Sequence, residues 1–243
     1  MGNNTFNPDE FVLKEPKPLP IMLMLDVSGS MDEKGKIDAL NNALKEMIKD
    51  FCKQEIKIIV CIITFGDQVN CFTYNKLDPN PHAFVEVKEL LKILKDFPAS
   101  GMTPMGKALE MAKAIIEDKA QTPGKAYRPA VILVSDGQPN DNWQKPLEDF
   151  INDGRSKKCD RMAMAIGNDA DKNVLNKFIE GTNNPLFEAH KVTDISSFFK
   201  FVTMSVEQRT HSANPDIIPS VIKQDVDNLK NASSLIEDED ELF

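Results

Sequence analysis

Two stretches, PIMLMLD (residues 20–26) and AVILVSD (130–136), constrain the fold more than anything else in this chain. Each is a short, unbroken apolar run that stops at an aspartate. A run this short with no polar face reads as a strand buried on both sides, as in a parallel sheet covered by helices. The intervening segments agree. Ile37, Leu40, Leu44, Met47, Ile48 and Phe51 recur at helical spacing. IKIIVCIITFG (56–66) reads as a second buried strand, and VNCFTYN (69–75) alternates as an edge strand does. Pro79 and Pro81 mark a loop, after which VKELLKILKDF can form a helix. A helix over 105–119, the strand at 130–136, a helix over 144–153, a strand over 160–167, a helix over 172–180, a short strand at Leu186–Ala189 and a helix over 194–208 follow. Strands alternating with helices require crossover connections. The expected fold is α/β and doubly wound: a mainly parallel central sheet of about six strands, one of them an antiparallel edge strand, with helices on both faces.

The spans expected are a polar lead-in at 1–17, one domain over 18–210 and an acidic, flexible tail over 211–243. From His211 onward the chain holds eight acidic residues and two lysines, a balance of −6 within a net −9, so the body carries only −3. A chain without a basic surface is a poor match for nucleic acid or anionic membrane. No window approaches the ~20 apolar residues of a membrane span. The opening MGNNTFNPDEF has neither a basic start nor an apolar core, so a cytoplasmic protein is expected. The four cysteines form no CxxC pair and the three histidines are scattered, which disfavours a histidine-based zinc site and suits reduced thiols.

In an open α/β sheet, ligands bind beyond the carboxyl ends of the strands, where strand order reverses. Asp26 and Asp136 occupy such ends. Asp26, Ser28 and Ser30 form D-x-S-x-S, and alternate side chains of an extended segment point the same way. Carboxylates and hydroxyls suit a hard cation. Asp136 adds a second carboxylate, and Thr103, in SGMTPMG before a helix, adds another hydroxyl. A lone D-x-S-x-S is equally readable as a helix cap or Asx-turn. The second strand-end aspartate and the Gly-flanked threonine tip the reading toward a metal.

DVSGSM, SGMTPMGKAL and VSDGQPND together resemble the von Willebrand factor type A domain and its metal-ion-dependent adhesion site. Gly35-Lys36-Ile37 with Ala39-Leu40-Asn41, ITFGD, YRPAVILVSDG and AIGNDADKNVL look like the bacterial stand-alone members related to tellurium-resistance proteins. The resemblance covers about residues 18–208. It implies that Ser28, Ser30 and Thr103 supply hydroxyl ligands and that Asp26 and Asp136 act mainly through bound waters. The ion expected is Mg²⁺, because the few ligands suit six-coordination and two carboxylates are few for a calcium cage, with Mn²⁺ or Ca²⁺ as alternatives. Neutral direct ligands leave a cation's charge poorly quenched, so an Asp or Glu of a protein partner can complete its shell. The function expected is a non-enzymatic adaptor in a bacterial stress-response or defence system containing kinases and phosphatases. Asp67, Gln138, Asn140 and Asp141 would shape the rim.

Enzyme readings fare worse. GMTPMGKA (101–108) nearly matches a phosphate-binding G-x-x-x-x-G-K-[ST] loop, yet Ala108 lacks the hydroxyl and Pro104 removes a backbone N–H. A haloacid-dehalogenase-like phosphatase needs an aspartate where Ser28 stands. The surviving alternative is a phosphatase-like hydrolase using the same cation to activate water.

Overall fold

The computed structural model describes residues 16–74 and 81–217. The expected loop at Pro79, the last residue of VNCFTYN, most of the lead-in and residues 218–243 of the acidic tail lie outside the described residues. In chain order the elements are β1 (Leu19–Asp26), a 3₁₀ segment (Gly29–Gly35), α1 (Lys36–Phe51), β2 (Ile58–Phe65), β3 (Val69–Cys71), β4 (Val85–Glu86) and α2 (Val87–Ile93). They continue with α3 (Met105–Glu117), β5 (Ala130–Ser135), α4 (Gln144–Asn152), a 3₁₀ turn (Ser156–Lys158), β6 (Asp160–Ile166), α5 (Lys172–Ile179), β7 (Leu186–Ala189) and α6 (Val192–Thr210).

The strands form one sheet in the order β3-β2-β1-β5-β6-β7, with β4 also on β2. The pairs β1–β2, β1–β5, β5–β6 and β6–β7 are parallel. β3 and β4 both run antiparallel to β2 and share its outer edge. Alternation sorts the apolar side chains onto two faces. Leu19, Ile21, Leu23 and Leu25 of β1 pack under α1, α2 and α6, while Met22 and Met24 pack under α3, α4 and α5. The chain is therefore doubly wound, three helices to a face. The chain leaves β1 toward β2 on one side and reaches β5 on the other, so strand order reverses at the carboxyl ends of β1 and β5.

The edge departs from the sequence reading. β3 is three residues long, although Phe72 N still donates to Ile62 O at 2.8 Å. Thr73 then takes over with its side chain: its hydroxyl accepts from Ile62 N (3.2 Å) and donates to Ala83 O (2.6 Å). This handover brings the chain back as the two-residue β4, for which no local pattern exists. The VKELLKILKDF helix stops at Ile93, with Leu94 already extended. Asn41 of α1 causes the early end: its Oδ1 accepts from Phe97 N and its Nδ2 donates to Phe97 O, both at 3.0 Å. That clamp draws the chain across α1 as a strap.

At the far end of the domain, residues 211–217 fold back on the body. Arg209 Nε donates to Pro215 O, and Asp216 accepts from Arg128 N and pairs with Lys17 at 3.1 Å. No helix among the described residues is long and apolar enough to cross a membrane.

Candidate metal centre

The strand-order reversal decides what faces what. β1 and β5 pair up to Leu25–Val134, so Asp26 and Ser135 lie one step beyond, side by side. Ser135 Oγ donates to Asp26 Oδ2 at 2.6 Å, and Ser28 N donates to Asp26 Oδ1 at 2.9 Å. Asp26 is fully buried. Burial pushes its carboxyl up to about 6, against the pull of the Ser135 and Ser28 hydrogen bonds and with a smaller push from the neighbouring Asp136.

Asp136, also fully buried, gathers the hydroxyls. Ser30 Oγ donates to its Oδ1 at 2.8 Å, Ser28 Oγ lies 3.5 Å from that same atom, and the two serine oxygens are 3.1 Å apart. Thr103 arrives from the loop before α3. Its hydroxyl lies close to Gly137: a Cβ there would stand 3.1 Å from it, a contact tight enough to press on Thr103. Ser28, Ser30, Thr103 and Asp136 line one solvent-open pocket of about 360 Å³; Asp26 braces it from beneath through Ser28.

The donor set is the kind a hard cation takes. Ser28, Ser30 and Asp136 present three oxygens 2.8, 3.1 and 3.5 Å apart. Adjacent ligands on an octahedral Mg²⁺ at 2.0–2.1 Å stand about 2.9 Å apart, and on the larger Ca²⁺ roughly 3.3–3.7 Å. The side chains thus fit a small divalent cation with little rearrangement. No group of three or more His, Cys, Asp or Glu suited to a metal occurs among the described residues, so any ion here must rely on hydroxyls.

Three contributors escaped the sequence reading. Lys36, only 3 % exposed, reaches Asp136 Oδ2 at 3.0 Å and the carbonyl of Ser30 at 3.5 Å. The signal was available: a lysine opens α1, where the helix dipole favours an acid. Ser135 is the second. A hydroxyl on the last residue of an apolar strand needs a buried partner, but the strand order that supplies Asp26 is not local. Asp169, exposed in the β6–α5 loop, lines the same pocket and adds a third carboxylate to its mouth. It is one of two acids in GNDAD, with nothing local to single it out.

The four rim candidates separate. Gln138 and Asn140 line the pocket, and the exposed Met102 joins them. Asp67 lines a neighbouring cavity with Val27 and Ser100 instead, and its N–H donates to Ser100 O at 3.1 Å. Asp141 does not belong to the rim: its carboxylate accepts from Gly106 N and Lys107 N, both at 2.9 Å, capping α3 from outside that helix. This also disposes of the phosphate-loop reading of 101–108. The first free N–H groups of α3, which would cradle a phosphate, already hold a carboxylate of the same chain.

Comparison with known proteins agrees with this geometry. The sequence profile of the von Willebrand factor type A domain matches residues 21–201. An uncharacterised protein of Mycobacterium tuberculosis is 28% identical over 119 residues, which is 49% of this chain and 17% of that protein. Among solved structures, a von Willebrand factor type A protein from Catenulispora acidiphila superposes with a TM-score of 0.59 at 18% identity, covering 79% of this chain and 43% of that one. Proximal thread matrix protein 1 of the mussel byssus, solved with a zinc-occupied adhesion-site motif, superposes with a TM-score of 0.59 at 16% identity, covering 77% and 48%. The chain thus spans less than half of each of these proteins.

Proposed function

The chain belongs to the von Willebrand factor type A family, and on that premise we propose that the β1–β5 pocket is a metal-ion-dependent adhesion site that binds an acidic residue of a protein partner. The carrying observation is the convergence of Ser28, Ser30 and Asp136 within 3.5 Å of one another, on a pocket shared with Thr103 and braced by Asp26. Ser28, Ser30 and Thr103 would hold the ion directly, with Asp26 and Asp136 behind them. Bound there, a divalent cation supplies an electrophilic open position for a carboxylate. Mg²⁺ is the first choice because so few protein ligands suit six-coordination completed by water and two carboxylates are few for a calcium cage; Mn²⁺ and Ca²⁺ are alternatives, and the mussel protein holds zinc in its own motif.

Charge supports a partner carboxylate. Two buried carboxylates against the Lys36 ammonium leave one negative charge, which a divalent cation would reverse within the buried cluster, with the exposed Asp169 at the mouth offsetting part of that gain. Gln138, Asn140 and Met102 would choose the partner. No imidazole lines the pocket, so we propose recognition without turnover. The bacterial tellurium-resistance resemblance suggests an adaptor in a cytoplasmic stress-response or defence system, and the net −9 disfavours nucleic acid and anionic membrane as partners.

Calorimetry of the full chain with Mg²⁺ and Mn²⁺ tests the site. One ion should bind, and Asp26→Ala and Thr103→Ala should each abolish or weaken binding while the thermal transition survives. Undiminished binding in both variants overturns the assignment. Capture of partners from the host lysate should depend on Mg²⁺ and fail for Ser28→Ala. Partners retained in chelator would exclude metal bridging, and phosphoester hydrolysis above background would favour the hydrolase.

A further inference from the structure

Beside the C-terminal half of α3, two thiols meet across the sheet edge. Cys61 on β2 is fully buried and Cys71 on β3 half-buried, with their sulfurs 3.7 Å apart. Cys71 pairs in register with Ile63, two residues beyond Cys61, so the two are diagonal neighbours on the face that packs against α3. Beside them a cleft of about 560 Å³ lies between the edge strand and α3, lined by Cys71, Tyr74, Met111 and Ile115 but not by Cys61. We propose that Cys61 and Cys71 form a peroxide-oxidised dithiol site, in which Cys71 reacts with the oxidant and Cys61 closes a disulfide between β2 and β3.

The asymmetry of the pair assigns the roles. Cys71 opens onto the cleft, so a small peroxide can reach it. The Cys61 thiol, 3.7 Å away, and nearby backbone N–H groups hold the Cys71 thiol below the ordinary thiol range, against the opposing effect of burial. The thiolate is the form that attacks a peroxide, so this lowering favours Cys71 as the reacting thiol. Burial pushes Cys61 well above the ordinary thiol range, which suits a resolving rather than an attacking group. The other two thiols are poor competitors: burial pushes Cys159 up to about 12 and also raises Cys52.

The chemistry balances. The Cys71 thiolate attacks one peroxide oxygen; an S–O bond forms, the O–O bond breaks, and hydroxide leaves to become water. Sulfur is oxidised by two electrons and the peroxide reduced. Cys61, losing its proton to solvent, then attacks the Cys71 sulfenic acid; the S–S bond forms, the S–O bond breaks, and a second water leaves. Closing from 3.7 Å to the ~2.05 Å of a disulfide requires rotation about the Cys side chains and a small shift of β3. Such a shift is feasible for a three-residue strand that, among the described residues, pairs only with β2.

The test uses the reduced full chain with one equivalent of hydrogen peroxide in chelator, which leaves the metal question outside it. Titratable thiols should fall from four to two, and peptide mapping should recover a Cys61–Cys71 cross-link. In Cys61→Ser the intermediate has no resolving thiol, and dimedone should label Cys71. In Cys71→Ser, consumption of peroxide should slow roughly tenfold, to the level of the remaining thiols. Oxidation appearing first at Cys52 or Cys159, or dimers linked through Cys52, overturns the proposal. So does a wild-type chain with no Cys61–Cys71 peptide, a readout that holds even if a variant folds poorly.

Discussion

The two ends of the sheet both bury charge, and they use it in opposite ways. At the amino end, Asp160 opens β6 and faces Arg209 from the end of α6. Arginine forks close this region. Arg161 donates to Phe178 O, Lys157 O and Glu180 O, tying β6 to the end of α5. Arg209 donates to Pro215 O and Arg128 O, pulling residues 211–217 onto the body. Asn184 adds bonds to Asp160 Oδ1 and Arg161 O. Burial raises the Asp160 carboxyl, and Arg209 is the main opposing pull. Every hydrogen bond that Arg161 and Arg209 make here goes to a backbone carbonyl, so this end serves as a clasp. At the carboxyl end the buried charge is acidic, Lys36 supplies the ammonium that meets it, and short hydroxyls share an open pocket with Gln138, Asn140 and Asp169. Hydroxyls bond to one another as readily as to a ligand, and they leave the pocket able to accept one. What separates a clasp from a site is therefore neither buried charge nor an uncommitted polar atom, since Asp160 Oδ2, Asn184 Oδ1 and Arg209 Nη1 are buried in the clasp without a partner among the described residues, but whether the polar groups face an open pocket that a ligand can enter.

Breaking the clasp should cost most. Arg209→Met removes the fork and leaves Asp160 buried without its main counter-charge, at an expected cost of about 3–5 kcal/mol. Urea unfolding reads this directly, and metal affinity at the other end should not change. A loss under about 1 kcal/mol would show that the clasp is ornamental and erase the contrast.

The carboxyl end should behave conditionally. Lys36→Met leaves Asp136 without its ammonium, and in chelator we expect a loss of about 2 kcal/mol. With saturating Mg²⁺ the gap should narrow, because a cation replaces the missing charge. Melting temperatures measured both ways decide it. An identical loss in the two conditions would make Lys36 a second clasp rather than part of a site.

Asp141→Ala sharpens the boundary between the two behaviours. It sits within a few residues of the pocket yet caps α3, so stability should fall by about 1 kcal/mol while partner affinity stays unchanged. Weaker partner binding at full metal occupancy would return Asp141 to the rim. Gln138→Ala should do the reverse. Its side chain is exposed, so unfolding should move by less than about 0.5 kcal/mol, while partner affinity falls several-fold. Unaltered affinity would remove Gln138 from the recognition surface.

Much of the fold was legible because its signals are local. Continuous apolar runs marked β1, β2, β5 and β6, and helical spacing marked α1 and α3, within a residue or two of their observed ends. Where the reading fell short, a partner distant in sequence had intervened. Asn41 ends α2 through Phe97, 56 residues away. Thr73 creates the place where β4 joins the edge by binding both Ile62 and Ala83.

The site divides along the same line. D-x-S-x-S, the two strand-end aspartates and the threonine loop are spelled out in short segments, so residue chemistry and strand periodicity alone were enough to nominate Asp26, Ser28, Ser30, Thr103 and Asp136 and an α/β frame to carry them. Tertiary structure decided which side chain each of them meets. Lys36 reaches Asp136 across 100 residues, Ser135 reaches Asp26 across 109, and Asp141 turns away to cap α3. Those pairings follow from β1 and β5 lying side by side in one register. Strand order and register are properties of the assembled sheet, set by how all its apolar faces bury together, and no window of sequence contains them.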